Sequence, residues 1–288
     1  MKRRALLKKA GVGGAAGGVI LGNYSIFEEL GNITSFYVGT LEDGSTDELP
    51  SKRLANGYRN VTGETYLLSY EWIDPARNCW EVSYSVDHDD YVAAVDRTEG
   101  YFNAFETARS SDRARQIGIR LKAARPVCGG DVTVDDAARF RQVVGFVQSF
   151  EYEVDSVSTG LPEYHRTIEE TLVEGVGDCK DLTYLLAGLL SQPPFEYRTA
   201  MVFMPEHMLV GVHRDDLAAA YAEFDTVADT AYVPVETTAR REIGYLQSGP
   251  ILAVYDGDFV YYDGEATARE TGRRIKNPSE SEFIDSLT

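Results

Sequence analysis

Long hydrophobic runs and positive charge are both scarce in this chain of 288 residues. The longest weakly apolar stretch, residues 10–22, is rich in Gly, Ala and Val and is too short to indicate a membrane span. Lys and Arg number 28 against 46 Asp and Glu, so the net charge is -18. Such a charge argues against nucleic acids and anionic membrane surfaces as partners. The acidic residues are spread along the chain, which is typical of solvated surfaces in proteins from high-salt environments.

Cysteine and histidine, which hold many transition metals, are also few, with only three Cys and four His in the chain. They form no cluster at the spacing of metal ligands. The glycine-rich segment GVGGAAGG has dinucleotide-type spacing, but no strand pattern precedes it, so it does not indicate a nucleotide site. The sequence therefore implies neither a metal nor an organic cofactor.

The first 22 residues combine a basic start with the Gly/Ala/Val stretch. Arg3 and Arg4 form an arginine pair, and the segment as a whole resembles a twin-arginine export signal. The alternative is a basic, frayed N-terminus. An export signal predicts an extracellular or cell-surface protein, with association to the cell envelope through the N-terminus as one outcome.

If the protein is exported, its cysteines can form a disulfide and its sequons can be glycosylated. Cys79 and Cys128 could form a disulfide and leave Cys179 as the free thiol, but three free thiols fit the sequence equally well. Sequons lie at three positions near the N-terminus: Asn23, Asn32 and Asn60.

The pattern of apolar residues divides the rest of the chain into three parts. Residues 23–62 are interpreted as a linker with at most one strand. Its three sequons make it a candidate for glycosylation. Residues 63–128 form an N-terminal strand/helix region, in which TYLLSYEWID and CWEVSYSVD predict strands and a helical segment ends at Pro126. Residues 129–288 form the core, with a C-terminal β-hairpin turning at Asp256-Gly257.

Two helices stand out in the core. The segment TVDDAARFRQVVGFVQSF predicts a helix capped by Thr133. The segment DCKDLTYLLAGLL predicts a second helix, capped by Asp178, with leucines at helical spacing along one buried face. The period then changes to two, which predicts five stretches of strand: YRTAMVF, HMLVGVH, YAEFDTV, AYVPVET and ILAVYDGDFVYYDG.

Cys179 falls in the first turn of the second helix. The unpaired N–H groups and the positive end of the dipole there favour an anion, as would a protonated His207. Asp178 and Asp181 would raise the pKa of the thiol unless they point away or act as caps. Lys180 is interpreted as a surface residue.

A nucleophilic thiol needs a base, and the base needs an orienting group. His207 begins the predicted strand HMLVGVH, whereas His213 lies six residues further, roughly 20 Å along a strand, so only one of them can meet Cys179. Glu236, in YVPVETT, is the candidate carboxylate. Taken singly, each residue is more often structural than catalytic.

In order and spacing, GDCKDLTYLLAGLL, PEHMLVGVH and YVPVETT resemble the transglutaminase-like domain family, in a microbial or archaeal exported form. The upstream run FVQSFEYEVDSVSTGLPEYHRTIEETLVEGVGDC, including the pieces Tyr152 to Asp155 and Glu163-Tyr164, extends the resemblance, which covers roughly residues 131–245. It implies an α+β fold with a papain-like core, in which a helix carrying Cys at its N-terminus packs on an antiparallel sheet, preceded by a smaller α/β N-terminal region. It also implies Cys179 as nucleophile, His207 as general base and acid, and Glu236 as orienting carboxylate. The family more often has Asp in the third position.

The resemblance implies an exported thiol enzyme that hydrolyses, or less readily transfers, amide or peptide bonds of a protein or peptide substrate through a thioester. A non-catalytic protein- or envelope-binding module on the same fold is the alternative. The sequence leaves the oligomeric state open.

Overall fold

The computed structural model describes residues 49–95, 100–128, 134–221, 223–262 and 274–276. The predicted export signal and the sequons at Asn23 and Asn32 lie outside these residues. None of the described helices is long and apolar enough to cross a membrane.

A four-stranded antiparallel sheet forms the first part of the fold. Its strands follow chain order: β1 Lys52–Leu54, β2 Gly57–Thr62, β3 Thr65–Ile73 and β4 Cys79–Asp87. Residues alternate between buried and more exposed along β3 and β4, so large side chains such as Tyr70 and Trp80 share one buried face.

The predicted linker therefore ends earlier than residue 62, because β1 and β2 belong to this sheet. Their pattern is hard to see in the sequence because β2 buries a cation. Arg59 is 4% exposed, and its guanidinium donates hydrogen bonds to the carbonyl oxygens of Pro50 and Val173. Asn60 of the third sequon lies in β2 and is exposed.

Helices follow the first sheet and surround a central helix. Their bounds are α1 His88–Ala94, α2 Tyr101–Arg109, α3 Asp112–Ala123, α4 Asp136–Val147, α5 Asp155–Ser158, α6 Ile168–Glu174 and α7 Cys179–Ser191. The cap of α4 is Asp135, whose side chain accepts a hydrogen bond from the N–H of Ala138 at 2.7 Å, and not Thr133, which lies outside the described residues. Two short 3-10 turns cover Arg214–Asp216 and Ala219–Tyr221.

Helix α7 is buried on all sides. Every residue from Lys180 to Leu190 is buried, whereas the leucine spacing predicted a single buried face. The reason is that α7 contacts α2, α3, α4 and α6 as well as the second sheet. At Gly188 a Cβ atom would lie 2.7 Å from the carbonyl oxygen of Ala108, so α2 approaches α7 where there is no side chain.

The second sheet has six strands, with antiparallel pairing throughout, in the order β12–β11–β10–β7–β8–β9. The bounds are β7 Thr199–Met204, β8 His207–His213, β9 Tyr232–Val235, β10 Ala253–Tyr255, β11 Phe259–Tyr262 and β12 Arg274–Lys276. Asp256 and Gly257 lie in the turn between β10 and β11. The segment YAEFDTV, predicted as a strand, is instead turn and loop around Ala219–Tyr221.

One hydrophobic core joins the two sheets through α7, since it contains Trp72 of β3, Leu186 of α7 and Val210 of β8. Residues 63–128 therefore share their core with the later residues, rather than forming a region that packs alone. The overall architecture is α+β, with antiparallel sheets and a central helix.

Of the two arrangements that the sequence allows for the three cysteines, the structure has the one with a single disulfide. Cys79 and Cys128 form a disulfide that closes 49 residues of sequence, and Cys179 is free.

Candidate active site

The start of α7 is closed by reciprocal side-chain caps. Asp178 accepts hydrogen bonds from the N–H groups of Lys180 and Asp181, and the Asp181 carboxylate accepts from the N–H of Asp178. The N–H of Cys179, the first residue of the helix, makes no hydrogen bond within the described part of the chain. It is therefore available to an incoming acceptor.

The short strand β6, Val176–Gly177, leads directly into the helix that begins at Cys179. Strand β5, Glu151–Tyr152, pairs in parallel with β6, directly before Asp178. The short helix α5 follows β5, so the sequence EYEVDSVSTGLPEYHR includes a strand and a helical turn.

His207 begins β8 at the β7–β8 turn. It is paired with Met204, and the turn residue Glu206 has a left-handed backbone with φ of 57°. Its Nε2 lies 2.9 Å from Oε2 of Glu236, which follows the neighbouring strand β9. His213 lies at the far end of β8, where its ring contacts Tyr232.

Glu236 is held in place by four hydrogen bonds. Its Oε1 accepts from the N–H groups of Thr237 and Thr238 and from the Thr238 hydroxyl, at 2.7 to 2.9 Å. Burial pushes the pKa of Glu236 upward, but the bonds from His207 and Thr238 outweigh it and leave the pKa below its usual value. An ionised carboxylate only accepts hydrogen bonds, so Nε2 of His207 donates in this contact, which leaves Nδ1 as the acceptor of the neutral ring.

Cys179 and His207 line the same cleft, which has a volume of about 750 Å³. The backbone N–H of Met208, the residue after His207, donates a hydrogen bond to the sulfur of Cys179. This contact brings the beginnings of α7 and β8 together. Tyr101, Tyr152 and Glu163 also line the cleft.

The surroundings of Cys179 favour the neutral thiol. Burial raises its pKa most, the Asp178 carboxylate raises it further, and Lys180 and the Met208 N–H lower it, with a net value of about 12. The Asp178 carboxylate therefore raises the pKa of the thiol even though it caps the helix. The sequence does not decide between the effects that raise and those that lower the pKa of the thiol. In the structure the effects that raise it are larger.

A buried ionic cluster lies directly behind the helix start. Lys180 is 5% exposed, and its ammonium binds the carboxylates of Asp155 and Asp178, so the prediction of a surface residue is wrong. Arg166, 2% exposed, binds Asp155 and Asp181 through Nη1. The carboxylates hold Lys180 charged and raise its pKa despite burial, which lowers it.

The three aspartates of the cluster could offer oxygen ligands to a metal ion, since these oxygens lie within 4.8 Å of one another. Each of them already bonds the ammonium or the guanidinium. The cluster therefore has a structural explanation without an ion. Arg166 was not identified from sequence; its only signal was its place within the upstream run that resembles the family.

Comparisons with known proteins give little further guidance. No family and no curated protein matches the chain. Among solved structures, LapG of Legionella pneumophila, in an EGTA-treated form, is similar over 66% of this chain and 90% of its own, with 12% identity and a TM-score of 0.29.

Proposed function

We propose that this chain is an exported thiol hydrolase of amide or peptide bonds, with a papain-type arrangement similar to that of transglutaminase-like domains. Cys179 is the nucleophile, His207 the general base and acid, and Glu236 the group that orients the imidazole. The observation that carries the proposal is the 2.9 Å contact between His207 Nε2 and Glu236, at a cleft that also contains Cys179.

The reaction begins from a neutral thiol, because its pKa is about 12. The sulfur attacks the carbonyl carbon of the substrate while Nδ1 of His207 accepts the thiol proton, and the carbonyl π electrons move to oxygen. Glu236 stabilises the imidazolium that forms. His207 then returns the proton to the leaving amine as the C–N bond breaks, which leaves a thioester on Cys179.

Water completes the cycle. His207 accepts a proton from the attacking water and returns it to the sulfur as the thioester breaks, so the products are an amine and a carboxylic acid. Bulk water is the default acceptor, and no second amine site has been identified among the described residues. We therefore favour hydrolysis over transfer to an amine.

The proposed substrate is a protein or peptide, and nucleic acid is not a proposed partner because the chain carries a net charge of -18. Two features support export: the paired arginines near the N-terminus and the Cys79–Cys128 disulfide, since disulfides persist in oxidising compartments. Envelope association through the N-terminus belongs to the same proposal.

A second candidate function is a non-catalytic module that binds peptides in the cleft. The raised pKa of Cys179 favours it, since a thiol that never loses its proton cannot attack a carbonyl. The two functions differ in whether Cys179 can be acylated with the help of His207.

The test is acylation by p-nitrophenyl acetate, a small activated ester that needs no recognition of a natural substrate. The hydrolase predicts rapid acetylation of Cys179, located by peptide mapping, and at least a 100-fold slower reaction in His207→Ala. His213→Ala is the matched control, a histidine at the other end of β8, and should react like the unaltered protein. Equal rates in all three proteins would reject the hydrolase and favour the binding module.

A further inference from the structure

Attack on a carbonyl places negative charge on its oxygen, and this charge needs hydrogen-bond donors. The N–H of Cys179 is one donor, since it lies at the start of α7 and is unpaired among the described residues. A second donor must come from a group beside the helix start. It must also have a donor hydrogen that no other group accepts.

Tyr152 lies beside the helix start because of strand pairing. It is opposite Gly177 in the parallel β5–β6 pair, and the N–H of Glu153 donates to the carbonyl oxygen of Gly177 at 3.1 Å. Gly177 precedes Asp178 and Cys179 directly. The backbone therefore fixes Tyr152 next to the segment that carries the nucleophile.

The side chain of Tyr152 lines the cleft that contains Cys179 and His207. Its hydroxyl makes no hydrogen bond to any described residue, while about half of the side chain, 47%, is exposed. Burial of the hydroxyl and the proximity of Cys179 both raise the pKa of Tyr152, so it remains a neutral donor at all ordinary pH values.

The other tyrosines near the thiol are already engaged. Tyr101 lines the cleft, but its hydroxyl bonds the Glu163 carboxylate. Tyr184 is buried, and its hydroxyl lies 2.9 Å from Nδ1 of His165. Tyr152 alone of these three has a hydroxyl without a described partner.

We propose that the Tyr152 hydroxyl is the side-chain donor of the oxyanion hole and acts together with the N–H of Cys179. The inference rests on the proposed function. When the sulfur attacks, the electrons of the carbonyl π bond collect on an oxygen that accepts hydrogen bonds from both donors. When the leaving group departs, these electrons return to re-form the carbonyl, and Tyr152 keeps its proton throughout.

The test compares two reactions of the same thiol in full-length protein. Acetylation by p-nitrophenyl acetate develops a carbonyl oxyanion, whereas alkylation by iodoacetamide is a displacement at saturated carbon and develops none. Tyr152→Phe removes only the hydroxyl. We expect acetylation of Cys179 to slow by roughly 10- to 100-fold, somewhat less than a fully enclosed donor gives, because water can reach a half-exposed site.

Alkylation by iodoacetamide should change by less than about twofold in the same variant, because thiol and imidazole are untouched. Tyr245→Phe, at a partly exposed tyrosine outside the cleft, is the control and should leave both rates unchanged. A 10- to 100-fold loss of acetylation alone supports the inference.

Three other outcomes would overturn it. Equal losses in both reactions would mean that Tyr152 positions the thiol, and no loss in either would mean that its hydroxyl does nothing. In both cases the hydrolase stands if the unaltered protein is acetylated at Cys179 with the help of His207. If iodoacetamide labels Cys179 but the ester never acetylates it, the proposed function fails and the oxyanion hole fails with it.

Discussion

Replacing Glu236 by Gln tests the central hydrogen bond of the proposed site. Gln has the shape of Glu, so its carbonyl oxygen can take the place of Oε1 and accept the three bonds from Thr237 and Thr238. Its NH₂ group must then face His207, because the opposite orientation would point donors at donors. Nε2 of His207 can accept that bond only without a proton, so the proton moves to Nδ1.

The rate loss can be worked out from two contributions. Loss of the charge-assisted hydrogen bond removes roughly 1.5–3 kcal/mol of stabilisation from the imidazolium formed during attack. Returning His207 to the reactive tautomer leaves a donor facing a donor, which costs roughly another 1–3 kcal/mol. At 1.36 kcal/mol per tenfold, a total of about 2.5–6 kcal/mol slows acylation by roughly 10²- to 10⁴-fold.

The assay is release of p-nitrophenolate during acetylation of Cys179, with thermal unfolding to show that Glu236→Gln is folded. Thr238→Val is the control, since it removes one of three donors to Oε1 but leaves the carboxylate charged. We expect the control to lose less than about fivefold, which corresponds to about 1 kcal/mol. If Glu236→Gln reacts within about threefold of the unaltered protein, Glu236 does not set the tautomer of His207 and the reasoning is refuted.

Two further predictions concern the thiol and the ionic cluster. Alkylation of Cys179 by iodoacetamide near pH 8 should be roughly 10²-fold slower than that of a free thiol of pKa about 8.5, since a pKa of about 12 leaves little thiolate and greater nucleophilicity offsets only part of this. The rate should keep rising up to pH 10, and a plateau near neutral pH would contradict it. Arg166→Met should lower the free energy of unfolding in urea by about 3–5 kcal/mol, because it leaves the buried Asp181 carboxylate without its ion-pair partner. Arg198→Met, which removes an exposed ion pair with Asp216, should cost at most about 1 kcal/mol, and similar losses in both variants would contradict the argument.

Local signals in the sequence located the central helix and several strands. Asp178 is the N-cap of α7 and Pro193 lies just beyond its end, because a cap and a helix-breaking residue act over one turn. Strands β7 and β8 were visible through their apolar runs. The same rule failed for YAEFDTV, where alternation of apolar and polar residues occurs in a turn and loop that pairs with no strand.

The buried charges could not be predicted from their own segments. Nothing in the local sequence distinguishes Arg166, Lys180 and Arg59 from solvated residues. They are buried because their partners come from distant parts of the chain, such as Asp155 for Lys180 and the Val173 carbonyl for Arg59. Pairing of this kind is decided by the tertiary fold, so no local spacing reveals it.

For the candidate triad, the sequence predicts the residues but not the protonation state of the thiol. The order of Cys179, His207 and Glu236 was readable, and the structure places His207 against Glu236 and both chain segments at one cleft. The protonation of the thiol was not readable, because it depends on how deeply the sulfur is buried and on whether Asp178 remains charged beside it.

A protonated thiol changes which groups must carry the proposed reaction. If the sulfur were already an anion, the attack would not need His207 to accept a proton, and both alkylation and acylation would start from the thiolate. With the pKa of Cys179 at about 12, the proton must leave during attack, so acylation depends on a correctly oriented imidazole and on donors for the oxyanion, whereas alkylation develops no oxyanion and needs no such donors. The ion pairs of Lys180 also bear on this geometry. Its ammonium binds both Asp155 and Asp178, so it joins the segment after Tyr152 to the start of α7, beside the proposed oxyanion donor and the nucleophile.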